Sequence, residues 1–165
     1  MRKIVFLGLR ILMASALMAQ KSKSVFLEVG GNGGLLSVNF DSRLTNSEKG
    51  LGYRAGFGMI PPFFRFFVSR PTIWTVPVGL NYLVGGSSHY LETGVGATYY
   101  FFNGTVSSVW GISDNAKGNG VVFIPNVGYR YAPDGKSIQA RAFICPLINS
   151  SGAIFYWGFS GGYKF

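Results

Sequence analysis

The stretch Ile154-Phe155-Tyr156-Trp157-Gly158-Phe159-Ser160-Gly161-Gly162-Tyr163-Lys164-Phe165 divides in two when read at every second residue. Phe155, Trp157, Phe159, Tyr163 and Phe165 fall on one side, and Tyr156, Gly158, Ser160, Gly162 and Lys164 on the other. Successive side chains of an extended chain point to opposite faces, so this is a strand with one aromatic face and one face of glycine and polar groups. The same division separates Leu91, Val95, Ala97, Tyr99 and Phe101 from Glu92, Gly94, Gly96 and Thr98. It also separates Ile138, Ala140, Ala142 and Ile144 from Gln139, Arg141 and Cys145.

Working outward, clusters of Gly, Pro, Asn and Ser cut the chain into segments rich in β-branched and aromatic residues. The spacing predicts strands over 24–31, 34–43, 50–60, 73–84, 89–102, 120–132, 137–147 and 154–165. Glu28, Asp41, Arg43, Arg54, Glu92, Arg130, Arg141 and Lys164 are the charges inside these segments, and all fall on the polar face. A Lys or Arg turned toward lipid at mid-bilayer would cost roughly 2–4 kcal/mol, which gives that segregation a physical reason.

The chain has 165 residues, room for one domain. Charged residues make up 13%, about half the usual share, aromatic residues 16%, and glycine occupies 24 positions. Mean hydropathy is +0.27. Beyond residue 20 no apolar run approaches the ~18 residues of a spanning helix. Hydrophobicity spread over short alternating strands predicts an all-β, antiparallel, up-and-down transmembrane β-barrel. Bacterial barrels of this kind have even strand numbers, which favours eight strands and a tight hairpin at Gly30-Gly31-Asn32-Gly33-Gly34 over a bend in one long strand. Alternation alone leaves open a soluble carrier of lipocalin type with its apolar face inward. The aromatics near strand ends (Tyr53, Trp74, Tyr82, Tyr90, Tyr129, Tyr131, Trp157 and Phe165) suit a bilayer interface, and the glycine-rich face suits a curved inner wall.

Residues 1–19 read as a secretory signal peptide: Arg2 and Lys3, an apolar stretch to Leu17, then small residues before a cut at Ala16 or, preferably, Ala19. The barrel domain is then 20–165. Arg2, Lys3 and Arg10 leave with the peptide, so the +9 formal charge falls by three to +6. Lysines and arginines outside the strands form no stripe with stacking aromatics, so no nucleic acid is expected. They suit anionic head groups instead. Cys145 stands alone and forms no internal disulfide.

With its leader, amphipathic strands and final Gly161-Gly162-Tyr163-Lys164-Phe165, the chain resembles the small eight-stranded outer-membrane β-barrel family, which includes the OmpA transmembrane domain and OmpX. The segments Glu28-Val29-Gly30-Gly31-Asn32-Gly33, Pro77-Val78-Gly79-Leu80-Asn81-Tyr82-Leu83, Glu92-Thr93-Gly94-Val95-Gly96 and Gly128-Tyr129-Arg130-Tyr131 are similar to a functionally uncharacterised group of such barrels. The resemblance implies the outer membrane of a Gram-negative bacterium, with outer-membrane lipid and lipopolysaccharide as surroundings. It also implies Tyr163 and Phe165 as the assembly signal read by the barrel insertion machinery.

Chemistry is sparse. Barrels of this size include lipid A-modifying enzymes that pair a nucleophile with a base, but His89 is the sole histidine and lies in an expected periplasmic turn. No metal-ligand spacing or phosphate-cradling loop stands out, so no catalytic residue, cofactor or metal is expected. The polar face is more informative. Glu28, Asp41 and Glu92 can meet Arg54, Arg130 and Arg141 inside a narrow barrel, with Asn39, Asn81, Asn126 and Gln139 beside them. The expectation is a lumen plugged by ion pairs; a narrow channel lined by the same charges is the alternative. Outside, the long connections 61–72 and 103–119 are expected to be extracellular, and Phe63, Phe64, Phe66 and Phe67 form a candidate interaction patch or extend the strands. The function expected is structural or surface-interacting, by a monomer.

Overall fold

A computed structural model describes residues 22–61, 72–102, 118–149 and 152–165, with only the backbone at 147–149 and 152–154. The segment 1–19 and the Phe63–Phe67 cluster lie outside the described residues. Eight strands follow one another: β1 (Lys23–Gly30), β2 (Leu36–Arg43), β3 (Gly50–Ile60), β4 (Ile73–Gly86), β5 (His89–Phe102), β6 (Gly118–Tyr131), β7 (Ile138–Asn149) and β8 (Gly152–Lys164). Each pairs antiparallel with the next, and β8 returns to β1, with Val25 opposite Tyr163 and Glu28 opposite Ser160, to close the barrel. Observed ends differ from the expected ones by a few residues. None differs by more than two residues: β6 and β8 begin two earlier and β7 ends two later than expected, β4 continues to Gly86 and leaves Ser87-Ser88 as the whole turn, and β2 begins two later, so that the Gly31–Leu35 turn separates it from β1 as a hairpin.

The side-chain division settles which face is inside. In β1, Leu27 is 66% exposed while its neighbours Phe26 and Glu28 are each 1% exposed. The same reversal runs around the wall: Val78, Leu80, Val95, Phe123, Tyr129, Trp157 and Phe159 face out, whereas Asn39, Asp41, Glu92, Arg130 and Arg141 are buried. A water-soluble carrier would show the opposite arrangement. Tyr90 departs from the expected interfacial ring. It shares the parity of Glu92, is 3% exposed, and packs inward with Leu83 and Ala132.

The interior is layered along the barrel axis. Leu83, Tyr90 and Ala132 close the end at which β1 begins, β8 ends and the Ser87-Ser88 turn lies. The charged residues lie above them. Toward the opposite end come two apolar groups, Ile124, Phe143 and Cys145 with Val122 and Tyr156, and Ile60, Ile73 and Phe102 with Leu35 and Tyr100.

One seam in the wall is incomplete. The β6–β7 ladder runs from Tyr131 opposite Ala140 to Val127 opposite Ile144 and stops there. Two residues further, the same register sets Pro125 against Pro146. The β5–β6 and β7–β8 ladders pass both prolines unbroken, so the two missing N–H donors face each other across this seam.

Candidate functional site

The site is the lumen, and it is built from alternate residues of seven strands. Glu92 of β5 is its hub. Oε1 accepts from Arg54 Nη2 at 2.6 Å, and Oε2 accepts from Arg130 Nε and Arg141 Nε, each at 2.8 Å. Asp41 of β2 accepts from Arg43 Nη2 at 2.5 Å, from Arg130 Nη2 at 3.0 Å and from Asn81 Nδ2 at 2.6 Å. Glu28 of β1 is more loosely met, its Oε2 lying 3.4 Å from Arg141 Nη1 and 3.7 Å from Arg54 Nη1. Asn81 ties the two hubs together, donating to Glu92 Oε1 at 3.1 Å while its Oδ1 accepts from Arg43. These bonds cross the barrel axis and join β1, β2, β3, β4, β5, β6 and β7. Such pairs hold their charges out of water only because each carboxylate is met by several donors.

All six charged residues expected in the lumen, Glu28, Asp41, Arg54, Glu92, Arg130 and Arg141, are therefore in one cluster. Arg43 joins them as a fourth base. The period-two division already sets it on the polar face with Asp41, although it was not among the residues expected to pair in the lumen. It is 1% exposed and also donates to the Gly50 carbonyl at 3.3 Å. Aromatic faces complete the surroundings: the guanidinium carbons of Arg54 and Arg141 stand 5.1 and 5.2 Å from the Phe26 centroid, and Arg141 lies 4.6 Å from that of Phe143.

Above the charges, the β1–β2 turn folds into the barrel. Gly31, Asn32, Gly33 and Gly34 are all buried. The turn is anchored by side chains from four strands. Thr98 Oγ1 donates to the Asn32 carbonyl at 2.7 Å, Thr75 Oγ1 to the Gly33 carbonyl at 2.5 Å, and the Tyr156 hydroxyl to the Gly34 carbonyl at 3.0 Å. Cys145 Sγ donates to Asn32 Oδ1 at 3.2 Å. Gly31 has φ +82° and a Cβ there would run into the Phe143 ring, so both its conformation and its space call for glycine. The repeated glycines marked a hairpin in the sequence; no periodicity in one strand shows that a hairpin tip turns inward.

Elsewhere, His89 is exposed and pairs with the Tyr129 hydroxyl. Glu92 points to the opposite face and is occupied by three arginines, so no His–Glu pair forms here. Among the described residues no group of three His, Cys, Asp or Glu is placed to hold a metal ion. Tyr163 and Phe165 are exposed on the outer wall at the terminal end, and Lys164 between them turns back to Glu48 at 3.0 Å and to the Pro133 carbonyl at 3.2 Å.

No protein-family model matches the chain, and no curated protein matches it in sequence. Solved structures do match in shape. The N-terminal β-barrel domain of OprF from Pseudomonas aeruginosa is similar with a TM-score of 0.56 at 13% identity, over 88% of this chain and 96% of that one. The outer membrane protein Ail of Yersinia pestis, in a phospholipid bilayer nanodisc, is similar with a TM-score of 0.53 at 14% identity, over 88% of this chain and 98% of that one. At these identities the likeness is one of fold, that of the small eight-stranded outer-membrane barrels.

Proposed function

We propose that this protein spans the outer membrane as a sealed, monomeric barrel and acts through its extracellular loops, without passing solutes. The observation that carries the reading is the double closure of the lumen. A layer of ion pairs bonds across the axis, and the Gly31–Gly34 turn, held by Thr75, Thr98 and Tyr156, fills the section above it. In a barrel of eight strands the interior is just wide enough for side chains to fill, and here backbone fills part of it too. The exposed apolar wall and the fold shared with Ail support the membrane location. Lipid and lipopolysaccharide would surround that wall, and Tyr163 with Phe165 would serve as the signal for the insertion machinery.

Planar-bilayer recordings test the seal. The purified protein is expected to be silent, and the Thr75→Val/Thr98→Val variant, which loses two anchors of the turn, to show brief openings. Steady single-channel steps from the wild-type protein would turn the reading into that of a narrow channel. The loop role is tested by replacing Phe63, Phe64, Phe66 and Phe67 with serine: binding of cells or lipopolysaccharide should fall while the barrel stays folded, and unchanged binding rejects that patch.

A further inference from the structure

The outer wall is not equally tall all round. β1 and β2 have eight residues each, whereas β4, β5 and β6 have fourteen. A strand that crosses a bilayer needs about 9–11. The inward turn is the cause, since at Gly30 and Gly31, with φ +76° and +82°, the chain leaves the wall. Val29 opposite Leu36 is therefore the last outward row of that sector.

Register carries this row sideways. Leu36 lies opposite Met59 and Met59 opposite Trp74, while the row beneath runs from Leu27 through Val38 to Phe57. Between the two rows is a trough of about 350 Å³ with an apolar lining, floored at Gly58. The Phe57 and Trp74 rings stack at 5.4 Å and bridge the rows at the β4 end.

The trough climbs obliquely. Val29 stands six residues above Lys23, where β1 begins, and Trp74 twelve above Gly86, where β4 ends. At the usual strand rise and a tilt of ~40°, these positions are about 15 and 30 Å from that end of the barrel. In a hydrocarbon core ~30 Å thick, that is the course from the middle to the outer edge. The trough thus follows the depth of one leaflet, as a single acyl chain does. Its deep end is aliphatic, and its upper end carries a tryptophan, which suits the head-group level. A protein strand would find no edge to pair with here, because the β1–β2 and β2–β3 ladders run unbroken beneath the trough.

We propose that this trough holds one acyl chain of an outer-leaflet lipopolysaccharide, its methyl end against Leu27 and Val29 and its head-group end beside Trp74. The inference rests on the outer-membrane reading above and is independent of the seal in the lumen.

Native mass spectrometry of the barrel released from outer membranes in mild detergent tests it, with lipopolysaccharide as the probe. The wild-type protein is expected to retain one molecule. Val38 is outward and 51% exposed, so Val38→Trp fills the trough from its lower row. That variant, and Phe57→Ala/Trp74→Ala, which opens the upper end, are each expected to lower the retained fraction about tenfold or more. Ala97→Trp is the control: it fills a separate outer hollow of about 480 Å³ and should leave retention unchanged. Gel migration before and after boiling shows that each variant is folded. A folded wild-type barrel that retains no lipopolysaccharide, or only phospholipid, overturns the proposal. So does retention that Val38→Trp leaves unchanged, or that Ala97→Trp lowers as much, since lipid would then cover the wall without a particular seat. Absence of the folded band from the outer-membrane fraction rejects instead the membrane reading on which the proposal stands.

Discussion

Glu92 shows how much can depend on one side chain. Three arginines from three strands converge on its two oxygens, so Glu92→Gln leaves Arg54, Arg130 and Arg141 facing one another across a dry lumen. Breaking a buried pair from one side costs about 3–5 kcal/mol, and that loss is expected here in urea unfolding followed by tryptophan fluorescence. Arg43→Met should cost clearly less, although Arg43 is equally buried. Asp41 keeps Arg130 and Asn81, and the substitution removes a charge of the sign in excess. Equal losses from the two variants would mean that the charge imbalance has no energetic weight. Tyr90 also shows the limits of reading single residues. An aromatic ring near a strand end suggests an interface, yet its parity with Glu92 turns it inward.

At the scale of elements, strand parity was legible because the lipid-facing side of each strand is nearly free of charge, and a charge placed there is costly. Strand pairing was not legible to the same degree. Pro125 and Pro146 are visible in the sequence, but that they oppose one another emerges only when β6 and β7 are brought into register. The consequence is measurable. Above Pro125, the amides of Phe123 and Val121 point into the open seam, while those of Ile124 and Val122 belong to the intact β5–β6 ladder. Hydrogen exchange followed by NMR in micelles should show Phe123 and Val121 exchanging at least tenfold faster than Ile124 and Val122. Equal protection would show that other groups satisfy the seam.

As a whole molecule, the barrel has no free strand edge between β8 and β1, and its ladders must open together for the chain to unfold. Such a barrel is expected to stay folded in cold dodecyl sulfate and to migrate differently on a gel before and after boiling. The shifted band should appear in the outer-membrane fraction. A single band in both samples, with the protein in the soluble periplasmic fraction, would reject the membrane reading despite the apolar wall.

What the sequence determined by itself was class and orientation. Alternation such as Phe155-Trp157-Phe159 against Tyr156-Gly158-Ser160 is a local property, and the cost of putting charge in hydrocarbon or bare backbone in lipid leaves few folds that tolerate it. The tertiary structure alone decided what closes the interior. Asn32 lies 66 residues from Thr98 and 113 from Cys145, and Arg141 lies 113 residues from Glu28. Contacts of that separation depend on register, closure and the inward course of one glycine turn, which no single strand encodes, because they arise only when eight strands share one narrow lumen.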